Sequence, residues 1–251
     1  MVQAKNRIGE TRIMNCGKLA TIVEYNDYIN VMVKFNHNDE LAKCRYAEFK
    51  NGEVKSHFSP TVYEVGIVGY QTTTINGKKI KSYSCWKSMI QRCYSEKYKE
   101  KHPTYKDVTC CEEWKYYKNF KEWYNENYYE VNDERMEIDK DILHKGNKIY
   151  SPETCCIVPH KINELFVKSD KRRGNLPIGI LSYKNKFRVQ CNLGEKKKQK
   201  HLGVYDTIEE AFEVYKKYKI AFIKEMAESY KNKIPIKLYK AMLNWQVEIT
   251  D

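Results

Sequence analysis

Residues 136–168 read MEIDKDILHKGNKIYSPETCCIVPHKINELFVK, and this run decides the fold of the centre of the chain. MEIDKDIL has the pattern of a strand, and LHKGNKIYSPET is a loop carrying Gly146, Asn147 and Pro152. CCIVP is a second short strand, and HKINELFVK is a helix opened by Pro159. The order is strand, loop, strand, helix. It puts Asp139 near the end of the first strand and Asn163 on the helix that follows the second.

Working outward, YSCWKSMIQRCY places Trp86, Met89, Ile90, Cys93 and Tyr94 at spacings of three and four, the mark of one helical face turned to a core. After the loop containing Pro103, VTCCEEWKYYKNFKEWYNENYY interleaves Trp114, Phe120, Trp123 and Tyr124 with lysines and predicts a second helix. Its aromatics suit packing between helices more readily than stacking on bases. Beyond Gly174, IGILSYKNKFRVQCNLGEKKKQKHLGVYDT predicts three strands joined by turns at Lys184-Asn185 and at 193–196. A long helix follows, with Asp206 or Thr207 as N-cap and Ala211, Tyr215, Tyr218 and Phe222 on one face. On the N-terminal side, LATIVEY, INVMVKF and CRYAEFKNGEV predict short strands, the last carrying an Asn-Gly turn signal.

The expected class is therefore α+β. Residues 1–70 form a small SH3-like β-barrel with an accessory role, and 71–82 form a linker. Residues 83–170 form a ββα core with flanking helices, and 171–251 form a three-stranded sheet with helices.

The chain has 45 Lys and Arg against 33 Asp and Glu, a net charge of +12, and the excess is uneven. Residues 131–170 hold 6 basic against 8 acidic side chains, whereas 171–205 hold 10 basic and 1 acidic. An acidic island beside basic segments suits an enzyme that acts on a polyanion, because a divalent cation needs oxygen ligands and a phosphate backbone needs Lys and Arg. Double-stranded DNA is the expected partner. Arg172, Arg173, Lys184, Lys186, Arg188, Lys196, Lys197, Lys198 and Lys200 are the candidate DNA contacts, and a solvated basic surface is the plain alternative. No run approaches the roughly 18 apolar residues of a membrane span. No secretory h-region opens the chain, and nine cysteines with two adjacent pairs suit a reducing compartment, so a cytoplasmic protein is expected.

The segment IDKDILHKGNKIYSPETCCIVPHKIN resembles the HNH endonucleases of phages, in the divergent branch where Asp-Lys or Asp-Arg replaces Asp-His. WKSMIQRCY, VTCCEEW, NFKEW and GVYDTIEEAFEVYKKYK resemble that branch too, and the last is similar to the Apetala-two (ERF-like) DNA-binding domain fused to such homing enzymes. The resemblance runs from about Tyr83 to Tyr230.

It implies a ββα-metal nuclease from a phage or mobile element, acting in a bacterial host. Asp139 and Asn163 would be ligands of one Mg²⁺ or Mn²⁺, with Thr154 at the place of the middle Asn. Zinc is not favoured, since neither Cys-x-x-Cys nor His-x-x-x-His occurs. Lys140 stands where the common motif has its basic histidine, so the general base is open among Lys140, Asp141, His144 and His160. Lys140 could instead grip a phosphate. The bland readings stand beside these: His144 as an exposed loop residue, His160 facing solvent, Asn147 positioning the loop through an Asx turn, and Cys93, Cys111 and Cys155 as buried thiols. A catalytically degenerate DNA-binding or inhibitory protein is the second expectation. A protein partner at the N-terminal barrel is the third.

Overall fold

A computed structural model of the chain describes residues 6–167, 175–193 and 199–250. The fold mixes helix and sheet, as expected, in four packed clusters.

The N-terminal part is a four-stranded antiparallel meander, β1 (Thr11–Ile13), β2 (Leu19–Tyr25), β3 (Val31–Phe35) and β4 (Leu41–Cys44). Alternation buries Ala20 and Ile22 of β2 against Val31, Val33 and Phe35 of β3. The expected barrel is not closed, because the edge strands β1 and β4 do not pair. The reason lies in CRYAEFKNGEV. Its strand stops at Cys44, and Tyr46–Asn51 forms a short helix, α1, in which Glu48 reaches back to accept a hydrogen bond from the Arg45 amide at 2.7 Å. Gly52, at φ +75°, ends the helix in the left-handed region. The Asn51-Gly52 pair is thus a helix C-cap and not a hairpin turn.

Glu40 ties this part to the segment that follows. Its carboxylate is buried and accepts from Ser56 Oγ, from the His57 amide and ring nitrogen at 2.8 Å each, and from Tyr70 Oη at 3.1 Å. Burial works to raise this carboxyl, but the hydrogen bonds outweigh it and hold it below the usual range. Val62, Tyr63 and Val68 already belong to the next core, where Gly66 packs so closely on Trp86 that a Cβ would lie 2.8 Å from the indole.

The expected linker carries a small hairpin, β5 (Thr74–Ile75) and β6 (Lys78–Lys79), turned by Asn76-Gly77 with both φ positive. Helix α2 (Lys81–Tyr94) buries Trp86, Met89, Ile90 and Cys93, four of the five residues singled out by spacing. After α3 (Glu96–Lys101) and β7 (Thr109–Cys110) comes α4 (Tyr117–Asn127), which buries Phe120, Trp123 and Tyr124. The predicted second helix is therefore shorter than VTCC…YY, since its start is spent on β7 and on a 3-10 turn at Glu113–Lys115 that buries Trp114.

Strand β8 (Met136–Asp139) pairs antiparallel with β10 (Cys156–Pro159), and α5 (His160–Phe166) follows without a break. Between them β9 (Ile149–Tyr150) runs parallel to β7. Ile138 and Ile157 face the α2–α4 core, while Cys156 and Val158 face a second core with Ile162 and Leu165 of α5. The hairpin is thus a partition between two cores.

The C-terminal sheet has the expected order β11 (Ile180–Tyr183), β12 (Lys186–Asn192) and β13 (Gln199–Tyr205), and it packs on the 22-residue α6 (Ile208–Ser229). Thr207 is the N-cap of α6, accepting from the Glu210 amide at 3.2 Å. The first half of α6 buries Ala211, Phe212 and Tyr215 against the sheet. Its second half, with α7 (Ile236–Leu243), buries Ile223, Ala227, Leu238 and Met242 in the core of the hairpin. No helix among the described residues is long and apolar enough to cross a membrane.

Candidate active site

Among the described residues β8 pairs only with β10, and residues of β8 line two adjoining hollows. A cleft of about 590 Å³ lies there, lined by Asp139, Lys140, Asp141, Asn147 and Asn163 together with Arg92, His102, Tyr105 and Trp245. It adjoins a second hollow of about 680 Å³ that shares Arg92, Tyr98, Tyr105, Ile138 and Asn163 and extends past Glu137, Arg135, Lys79 and Lys81. The hairpin floor carries carboxylates and the walls carry cations.

Asp139 closes β8, and its Oδ1 accepts from the amides of Asp141 and Ile142 at 2.7 Å each. Those bonds turn the chain out of the strand and fix the side chain. No hydrogen bond to Oδ2 is present among the described residues. Burial raises the Asp139 carboxyl above its ordinary value, assisted by the nearby Asp141 and opposed by the two amides and Lys140.

Asn163, in the second half of the first turns of α5, donates Nδ2 to Glu137 Oε2 at 2.6 Å. Glu137 and Asp139 are two apart on β8 and so share a face. Despite burial, Glu137 is held below the usual carboxylate range by hydrogen bonds from Asn163 and His160 and by the charges of His160 and Arg135. His160 is therefore a partner of Glu137, with Nδ1 at 3.2 Å from Oε1, and of Glu164, with Nε2 at 3.3 Å. It is half-buried.

Lys140 is only 7% exposed. Its Nζ donates to Asn147 O at 2.9 Å and pairs with Asp141 Oδ1 at 2.6 Å. Asn147 answers by donating Nδ2 to Lys140 O at 2.9 Å and to Ile149 O at 2.7 Å, while its Oδ1 accepts from the Ile149 amide at 3.2 Å, an Asx turn. Thr154 Oγ1 donates to the same Ile149 carbonyl at 2.8 Å. These side chains hold the loop shut. His144 is exposed on that loop and does not line the cleft.

Arg92 was not apparent from the sequence as a site residue. It is half-buried near the end of α2, donates Nη1 to Tyr150 Oη at 2.9 Å and lies 5.6 Å from the Tyr150 ring centroid. No ion pair with a carboxylate is present for it among the described residues. The signal for it was the absence of any acidic residue in KSYSCWKSMIQRCY, which leaves this cation no partner within its own helix. Glu137 was legible as the same-face neighbour of Asp139. His102, stacked on Tyr98 with centroids 4.3 Å apart, is brought in by the α3 turn and had no local signal.

In the C-terminal sheet, Lys186 and Arg188 share the outer face with Tyr183. Arg188 lies 4.1 Å over the Tyr183 ring, and Lys186 pairs with Asp206 at 2.7 Å. Lys184 sits in the β11–β12 turn at φ +54°. Lys200 is exposed but stands opposite Cys191, in register with the side that α6 covers. Arg172, Arg173, Lys196, Lys197 and Lys198 lie outside the described residues.

Among the described residues no group of three or more His, Cys, Asp or Glu side chains converges on a common point for a metal, and the nine cysteines are free thiols. Comparison with models of protein families, with curated proteins and with solved structures gives no match to this chain.

Proposed function

We propose that the chain is a metal-dependent endonuclease of the ββα type, which hydrolyses phosphodiester bonds in double-stranded DNA and leaves a nick. The observation that carries this reading is the shared cleft: Asp139 from the end of a strand, Asn163 from the helix behind it, and Arg92, which has no carboxylate partner among the described residues, all line it. The donor set fits Mg²⁺ or Mn²⁺. Asp139 keeps one carboxylate oxygen uncommitted, and the bond from Asn163 Nδ2 to Glu137 leaves Oδ1 as its remaining acceptor. Two hard oxygen donors suit an ion that binds through one or two protein ligands and substrate phosphate. When bound, such an ion polarises the phosphate and stabilises the leaving 3′ oxygen.

The chain's own groups do the rest. Arg92 presents a fixed guanidinium to a phosphate, and Tyr150 holds its plane. Glu137 fixes the Asn163 amide. Lys140 donates to two acceptors and offers no lone pair, so it serves as a loop pin and not as the base. Of the imidazoles, His102 lines the cleft and is assigned the water proton. The basic outer face of the C-terminal sheet supplies phosphate contacts through Lys186 and Arg188. The setting is a bacterial cytoplasm in which a phage or mobile element acts.

The position of Lys140 also favours a second reading, a degenerate nuclease kept for DNA binding or inhibition. One experiment separates the two. Supercoiled plasmid is incubated with the protein and Mg²⁺ or Mn²⁺, beside EDTA and Asp139→Asn controls. Metal-dependent conversion to open circle that Asp139→Asn abolishes is the expected result. Salt-sensitive binding with no cleavage under either metal would transfer the assignment to the binding protein.

A further inference from the structure

Lys219 lies in the middle of α6, 5% exposed, on the side turned to the C-terminal sheet. Its ammonium makes no hydrogen bond or ion pair with any described residue. A lysine buried along its stem calls for an anion or water at its head, and the Lys219 Nζ is not among the sealed polar atoms that lack a partner, so it reaches accessible space. The neighbours do not supply that anion. Cys191, across the interface on β12, is kept as a neutral thiol by burial and donates to Asn192 O at 3.5 Å. Glu164, on α5, is turned toward His160 at 3.3 Å.

What Lys219 does face is a cavity of about 170 Å³ at the seam between α5 and strands β11 and β12. Leu165, Val167, Ile178 and Ile180 supply apolar wall, Gln190, Asn192 and Gln199 supply amide groups, and Glu164 also lines the cavity, with its Oε1 engaged by His160. This hollow is near the size of an apolar cavity that takes up benzene, so its contents are limited to about six to eight heavy atoms. A phosphodiester within a duplex is too large to enter it. With the Glu164 carboxylate engaged by His160, the combination of one unpaired cation, three amides and aliphatic wall selects a small body with an anionic head.

We propose that this cavity is a binding site for a small organic carboxylate, whose head pairs with Lys219 and whose short aliphatic body packs on Leu165, Val167, Ile178 and Ile180. The cavity adjoins the proposed nuclease cleft at Val167 but is lined otherwise by different residues, and it does not depend on the nuclease reading. Burial lowers the Lys219 ammonium below its ordinary value, which agrees with a cation that lacks its partner.

The test is thermal unfolding of the full chain in isobutyrate, acetate and inorganic phosphate, each against chloride at equal ionic strength. Isobutyrate should raise Tm by several degrees over chloride, and acetate by less, because binding to the folded state alone shifts the unfolding equilibrium. Lys219→Met should unfold at the same temperature in isobutyrate and chloride, and Lys219→Gln provides the same comparison should the first variant not fold. Equal Tm values for the native chain in isobutyrate and chloride would overturn the proposal. So would an isobutyrate shift that survives in the Lys219 variants, which would place the ion on surface lysines, or a response to phosphate alone.

Discussion

Lys140 and Asn147 hold each other reciprocally: the lysine side chain donates to the asparagine carbonyl, and the asparagine side chain donates to the lysine carbonyl, each at 2.9 Å. The six residues between them are closed by that pair, so Lys140 has a structural task. Lys140→Met leaves Asn147 O and Asp141 without their donor and should lower stability by about 1–3 kcal/mol. Amide hydrogen exchange across residues 140–150 should rise in parallel. Normal stability with abolished cleavage would instead make Lys140 a catalytic group.

Asp139 accepts two amides at the strand end and, in the proposed reading, also serves the cleft, and different substitutions separate the two. Asp139→Asn keeps an oxygen for the Asp141 and Ile142 amides and should fold with a Tm near that of the native chain, while plasmid cleavage falls at least a hundredfold. Asp139→Ala strands both amides and should cost about 1–3 kcal/mol in urea unfolding as well. Cleavage unchanged in the Asn variant would remove Asp139 from the site.

Arg92 offers its fixed guanidinium to the cleft, and lysine cannot reproduce that planar fork. Arg92→Lys should reduce kcat for plasmid nicking about a hundredfold or more, the usual cost of losing one oriented donor. DNA affinity measured by anisotropy should change little by comparison. Equal losses in both would mean that Arg92 only binds.

Glu40 makes the N-terminal meander sensitive to acid. Its carboxyl is held below the ordinary 4.5, so its contribution to stability is present above that value and is lost as pH falls through the lower folded value. Glu40→Gln should cost about 1–3 kcal/mol at pH 7. The gap to the native chain should narrow as pH falls below 4.5 and close once pH has passed the lower folded value, where both carry a neutral side chain. A gap that stays constant with pH would show that the carboxylate charge is not what holds Ser56, His57 and Tyr70.

Patterns of local origin were legible in the sequence. The face of α2 followed from spacing, and the ββα order followed from Pro159 and the two short apolar runs; on α6 Ala211 and Tyr215 are buried as expected, whereas Tyr218 and Phe222 are half-buried and the core stripe runs through Phe212, Lys219, Ile223 and Ala227. Signals with two meanings were not. Asn-Gly turns a hairpin at 76–77 and caps a helix at 51–52, and only Glu48, placed to reach back to the Arg45 amide, tells the second case apart. Site residues adjacent in sequence to Asp139 could be found by periodicity, whereas Arg92 and His102 reach the cleft through packing of α2 and α3 that no short-range pattern encodes. For Lys140 the residue type was visible, but its direction was set by a loop whose closure depends on a partner seven positions away.

Because the second half of α6 and the whole of α7 cover the hairpin, recombination joining a different C-terminal unit at residue 170 would leave Val158, Ile162 and Leu165 bare to water. The unit that can be exchanged is the sheet with the first turns of α6, inserted between α5 and Ile223. A graft made at that inner boundary keeps the hairpin's cover and changes what the outer sheet face touches. The workable breakpoint for such an exchange therefore lies inside a helix and not ahead of the sheet.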